Sequence, residues 1–459
     1  MLSASVTIAL IALALLTIVV AAGRVGGVAQ VLLVAQAVYW TMSYVARPLV
    51  LLVVRPEPSF GDNVADPRLA RIGYDIGLAL VLRPVVFGMW VYAGFVVAFA
   101  IWARRRSRPE RTVVITRDPN FLPTLCVLYL LGTLARLASV ATGAAGRAGE
   151  VESASPVLSL LTTMATVGAL GLIVFMRSES NRTTLLVVGV LLLGELWWTT
   201  AIQSKTPVLG AALAIAVRFG LEGWTRTKLV SIAAVSVAGI GAFGWLQSLK
   251  ATDYSKAEAA LTDSGYPPAV QPFLSLLRRF DLLEAATDVY YTGPNSWLSF
   301  DQVVNHVLVS MVPTQLLGAE KAQSGTEWAN HVRGTSVDMS QVSVSLAEGN
   351  VNEGYVLGGY AGIVIGMLCT FLLLLAWERT LYSRLLIPVI FGTALIEFPV
   401  IFERGVLGTA ETLGKFLQAA VLIWVVYLLV GELRRKPGSI GAPAPPRPIE
   451  SAAADKRRN

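Results

Sequence analysis

The sequence predicts an all-α fold: a polytopic membrane helix bundle of about eleven transmembrane helices with one large helical extracytoplasmic loop. Of its 459 residues 54% are hydrophobic, and mean hydropathy is +0.62. These residues come in blocks of about 20 rather than being scattered along amphipathic elements, as they are in soluble domains. Basic residues collect in alternate connections between the blocks, as the positive-inside rule requires.

Apolar blocks fall near 2–22, 29–54, 76–103, 120–142, 156–176, 183–201, 207–222, 229–248, 354–376, 385–402 and 412–431. The first lacks a basic leader and reads as a span rather than a cleaved signal. The stretch 72–103 is long for one span and suggests a broken helix. Arg24, the cluster of Arg104, Arg105, Arg106, Arg108, Arg111 and Arg117, Arg177 with Arg182, Arg226 with Lys228, Arg379 with Arg384, and Arg434 mark one side of the membrane. Placing that side in the cytoplasm puts the N-terminus outside, the C-terminus inside and the interval 250–353 outside. The chain then divides into 1–249 with about eight helices, the loop 250–353, 354–435 with about three helices, and 436–459, a Pro- and Ala-rich disordered cytoplasmic tail.

Net charge is +7, but the Arg cluster is a topology signal and not a nucleic-acid stripe, so no nucleic-acid partner is expected. Cys126 and Cys369 lie in apolar segments, as packing residues. Together with the two histidines, His306 and His331, they give no metal-ligand spacing, and no metal or cofactor is expected.

The interval 250–353 has the opposite charge balance. Six Lys/Arg face twelve Asp/Glu, a net of −6, so each cation there calls for a reason. Pro272 opens a run over 273–291 in which Phe273, Leu276, Leu277, Phe280 and Leu283 recur at helical spacing. Asp281, Glu284 and Asp288 form an acidic stripe beside that face, which predicts an amphipathic helix against the membrane. The apolar run 303–312 is too short to span, stops at Pro313 and reads as interfacial or re-entrant.

Ionisable residues within or at the ends of spans include Arg47, Arg83, Arg136, Glu195, Lys205, Arg218, Glu397, Glu403 and Arg404. Such charges cost at least about 2.5–3.5 kcal/mol each at a helix centre, so they face a partner or a cavity. On the outer side Thr206 and Pro207 open a helix beside Lys205, a setting that suits a phosphate. Glu403 and Arg404 sit together at a helix end, and Glu353 with Tyr355 opens the helix that follows the long interval. Trp197, Trp198, Tyr290, Tyr291, Trp297 and Trp328 lie near the outer level, as an interfacial belt or as sugar-stacking faces.

The segment Glu353-x-Tyr355-x-x-x-Gly359-x-x-Gly362 resembles the signature that opens a late helix in O-antigen and oligosaccharide repeat-unit polymerases of the Wzy type. Ser204-Lys205-Thr206-Pro207 is similar to that family's Ser-Arg-small segment, with Lys in place of Arg. Val312-Pro313 with Lys321 behind it resembles a segment of the family's large periplasmic loop, and Thr314, Gln315 and Ala322 depart from it. The likeness covers roughly 200–410.

The resemblance implies a metal-independent glycosyltransferase in the bacterial cytoplasmic (inner) membrane. It would polymerise polyprenyl-diphosphate-linked oligosaccharides at the outer face, in the lipid bilayer and beside other polysaccharide-export proteins. Such a reaction needs cations on the leaving diphosphate and a base on the acceptor hydroxyl. Arg278, Arg279, Lys321 and Arg404, together with Lys205, are expected to supply the cations. Glu353 is expected to be the base, with Glu348 and Glu403 as the alternative carboxylates, and Tyr355 to contact sugar. Two other readings stay open. One is a polyprenyl-monophosphate-sugar transferase or glycan ligase, for which Asp62 and Asp66 would be the outer acidic pair. The other is a lipid-linked-sugar flippase.

Overall fold

The computed structural model describes residues 3–58, 64–105, 113–144, 156–177, 180–202, 204, 206–228, 230, 263, 265–278, 280–313, 321, 323–334, 348–397 and 403–434. Every regular element among them is helical. Seven helices are long and apolar enough to cross a membrane: α1 (Ala4–Val25), α2 (Gly27–Val54), α5 (Arg83–Arg105), α6 (Phe121–Ala141), α8 (Asn181–Ala201), α13 (Asn350–Leu381) and α15 (Val406–Arg434). Between them lie α3 (Pro67–Ile72), α4 (Tyr74–Val81), α7 (Pro156–Phe175), α9 (Thr206–Glu222), α10 (Leu282–Thr292), α11 (Phe300–Met311), α12 (Ser324–Arg333) and α14 (Leu386–Glu397). Of the expected apolar blocks, 156–176, 207–222 and 385–402 fall on α7, α9 and α14, whose described apolar runs are shorter than those of the seven. The block 229–248 lies, but for residue 230, outside the described residues, as does the tail 436–459.

The long stretch 72–103 is indeed broken. α4 stops at Leu82, and α5 starts at Arg83 with Pro84 in its first turn, where a missing N–H is harmless. Side chains such as Leu130, Leu134, Leu185 and Leu193 are exposed along the helices, as a lipid-facing surface demands. Between helices the apolar effect is weak in lipid, so packing and polar contacts hold the bundle. The Arg136 guanidinium on α6 forms a two-pronged ion pair with Glu195 on α8 (2.7 and 3.1 Å) and donates to the Thr166 hydroxyl on α7 (2.7 Å). It also lies over the Trp198 ring. Both charges are fully buried, so each neutralises the other where water cannot. At another helix end Arg218 pairs with Glu222 (3.0 Å).

α13 is not one straight rod. Gly358 and Gly359 leave helical geometry, and Gly359 has φ +57°. The leg before them folds back on the leg after them. A Cβ added to Gly354 would stand 2.6 Å from the Gly362 carbonyl oxygen, and one on Gly366 would stand 2.8 Å from that of Asn350. Gly354 and Gly362 thus face each other across a helical hairpin, where only hydrogen fits between the backbones.

The described parts of the interval 250–353 pack on one end of the bundle. The helix expected over 273–291 is two pieces: a single turn, Leu274–Leu277, and α10, with Asp281 at the start of the latter. Arg47 on α2 pins the break by donating to the Phe280 carbonyl (3.2 Å) and to that of Val64 (3.3 and 3.2 Å). The acidic stripe is not all solvated, because Asp288 is completely buried. α11 matches the short run before Pro313. One of its faces is exposed through Phe300, Val304 and Leu308, and its other side lies along α15.

Candidate functional site

The N-terminus of α15 organises the largest gathering of buried ionisable groups among the described residues. Its first backbone amides have no partner within the helix. The Glu353 carboxylate, on the folded-back leg of α13, fills that place. One oxygen accepts from the Val406 amide, and the other accepts from that of Leu407 at 3.1 Å. The aligned peptide dipoles of α15 favour the negative charge there. Glu353 is 1% exposed. It can come this close because residue 405 is Gly: a Cβ at that position would overlap the carboxyl group. Glu353, in the first turn of its own helix, therefore caps a helix that begins far away in sequence.

Glu348 lies two residues before α13 and is 2% exposed. Its Oε2 accepts no hydrogen bond among the described residues. Burial first, and then the charge of Glu353, push its carboxyl up to about 8, with Glu411 adding to the rise and Arg404 opposing it. A carboxyl poised near neutrality by burial and a like charge has the properties of a general acid or base.

Glu411, on α15, accepts from the Ser324 amide at 2.6 Å and pairs with His306 Nε2 at 3.0 Å. These contacts tie α11 and α12 to α15. Lys321 donates to the Ser310 carbonyl (3.2 Å). Burial lowers its ammonium from the ordinary value, and the like charge of Lys415 lowers it further against the pull of Glu411. Arg404 immediately precedes this helix, with its stem against Gly408. Three cations thus meet three carboxylates and a histidine at one helix end.

α12 joins this cluster to a second one. There Asp288 accepts from Arg68 (2.7 Å), Arg333 (2.9 Å) and the Trp328 indole (3.2 Å). Arg333 also pairs with Glu284 (3.2 Å). Burial works against the charge of Arg333, but Asp288 and Glu284 outweigh it and raise its guanidinium. Trp297 packs edge-on against Trp328, with Tyr355 and Val356 beside them.

Of the residues expected from sequence, Glu353, Lys321 and Arg404 come together here, with Glu348 and Glu403 alongside. Tyr355 sits on the other side of its helix, in edge contact with Tyr360 (5.6 Å). Arg278 pairs with Asp263 (2.6 Å) away from this cluster. Lys205 and Arg279 lie outside the described residues, and so does Asp62. Asp66 is taken up by Arg68 (2.8 Å) and caps α3. Sequence reasoning gave no role to His306, Ser324, Glu411 or Lys415. The one signal for Glu411 is an acid immediately ahead of the last apolar block.

Compared with protein-family models, curated proteins and solved structures, the chain matches none.

Proposed function

We propose that this protein is a membrane glycosyltransferase that polymerises polyprenyl-diphosphate-linked oligosaccharide repeat units at the outer face of the bacterial cytoplasmic membrane. The layout belonging to this reading is about eleven spans, with the N-terminus outside and 250–353 extracytoplasmic. The observation that carries the reading is Glu348: a buried carboxyl raised to about 8, with an oxygen that no described group occupies, beside Arg404. In this reading the acceptor hydroxyl gives its proton to Glu348 as its oxygen attacks the anomeric carbon. The bond from that carbon to the diphosphate breaks, and the leaving oxygens meet Arg404, Lys321 and Lys415. Lys321 and Lys415 lie close enough to repel, which favours an anion bound between them. The base role expected of Glu353 passes to Glu348, because backbone amides hold both Glu353 oxygens. Glu353 supplies instead the neighbouring charge that raises Glu348.

The test is a purified assay with lipid-linked repeat units. Glu348→Gln should insert normally and lose about 10²–10⁴-fold in rate, the usual cost of removing a general base. A Gln variant that polymerises within a few-fold of the parent removes Glu348 from this role.

A further inference from the structure

At the opposite pole of the molecule, α1 and α5 run side by side and leave a groove of about 590 Å³ between them. Leu16, Val20 and Ile101 form its apolar walls, and all three are exposed on the lipid-facing surface. Its floor is low because Ala21 and Ala100, both buried, carry no more than a methyl group. At one end it is closed by Arg24 from α1 and by Arg104 and Arg105 from α5, all exposed. Among the described residues no carboxylate lines it.

We propose that this groove binds an anionic glycerophospholipid of the leaflet that the three arginines face, with its phosphate among Arg24, Arg104 and Arg105 and an acyl chain along the Ala21–Ala100 floor. The topology rule explains why basic residues lie on this side, but it does not require three of them to converge at the mouth of an apolar cleft. A slot with lipid-soluble walls and a cationic mouth matches, end for end, a molecule with a hydrocarbon tail and a phosphate head. A zwitterionic lipid brings its own cation beside the arginines and loses the advantage. The site lies away from the Glu353 cluster and does not depend on the reaction proposed there.

The full chain in detergent, titrated with dioleoylphosphatidylglycerol or dioleoylphosphatidylcholine and read by native mass spectrometry, tests this directly. The parent should retain the anionic phosphatidylglycerol preferentially. R24A/R104A/R105A should weaken that binding roughly 100-fold, at about 1 kcal/mol per cation. Ala100→Phe keeps every charge and fills the floor, and it too should lose the bound lipid. Arg226→Ala with Arg379→Ala, basic positions outside the groove, should keep it. Equal retention of both lipids by the parent overturns the proposal. So does wild-type binding by Ala100→Phe, which would reduce the effect to general surface charge. Displacement of the lipid by millimolar glycerol phosphate, which has a head and no tail, would show that the groove contributes nothing. If the triple variant does not fold, the Ala100→Phe comparison decides alone.

Discussion

Gly405 leaves open the space that the Glu353 carboxylate occupies, and a methyl group there would overlap it. A single hydrogen atom in place of a Cβ thus lets a charged group from α13 reach the exposed amides of α15. Gly405→Ala should expel the carboxylate and leave the Val406 and Leu407 amides buried without an acceptor. Each such orphan costs about 1–3 kcal/mol. Glu353→Gln keeps one acceptor and turns the other into a donor that faces an amide, so it should lose at least one of these bonds. Unfolding in mild detergent should occur at clearly lower temperature for both variants. Parental stability in both would mean that this cap holds nothing together.

The raised carboxyl of Glu348 sets a pH dependence. In the proposed reaction the base must be ionised, so the polymerisation rate should climb with pH toward about 8. Glu353 and Glu411 push the limb up and Arg404 pulls it down. Neutralising Glu353 should therefore move it to lower pH, and Arg404→Gln should move it higher. For stability the sign is opposite. The fold favours protonated Glu348, so its contribution is complete below the ordinary carboxylate range and is lost as pH rises through about 8. A rate profile flat between pH 5 and 9 would contradict this assignment.

Asp288 holds two guanidinium groups and an indole with no access to water. Asp288→Asn removes the charge and leaves Arg68 and Arg333 facing a neutral amide. Breaking a buried pair on one side costs about 3–5 kcal/mol. Protease cleavage within 250–353 should become much faster in this variant, while the exposed control Asp301→Asn should behave as the parent does. Equal cleavage rates would show that the ionic cluster does not fasten this region.

The orientation can be read with single cysteines, once Cys126 and Cys369, both exposed, are replaced. Cysteines at Pro294 and Asp301 are exposed and should react with a membrane-impermeant thiol reagent in intact cells. One at Arg384 should react only after lysis. The reverse pattern would invert the bundle and move the proposed chemistry to the cytoplasm.

The helical bundle was legible in the sequence because a span leaves a local record, a block of apolar residues of fixed length. The break near Leu82 was legible too, through excess length. The hairpin at Gly358 and Gly359 was half legible. Gly359 and Gly362 stood out as part of a family-like segment, but nothing in their spacing said that the helix approaches itself. Glu353 could be picked out as a carboxylate at a helix start, whereas its true contact lies on a helix 53 residues on. His306 and Glu411 are 105 residues apart, and Asp288 and Arg68 are 220 apart. No periodicity encodes such meetings. Asp288 therefore looked like part of a solvated stripe, although its partners bury it.

The cap on α15 also fixes when the site can exist during synthesis. Glu353 leaves the ribosome with the folded-back leg of α13, but the amides it needs are made 53 residues later, a wait of roughly 3–10 s at ordinary elongation rates. In that interval the short leg can already make its contacts to earlier segments, such as Asn352 to the Tyr44 hydroxyl and the Leu282 carbonyl, but the carboxylate must stay hydrated or protonated. α13 is therefore made before Glu353 has its amide partners. Insertion of α15 then draws Glu353 down and brings His306 and Ser324 onto Glu411, so the polar cluster closes only once that helix is made.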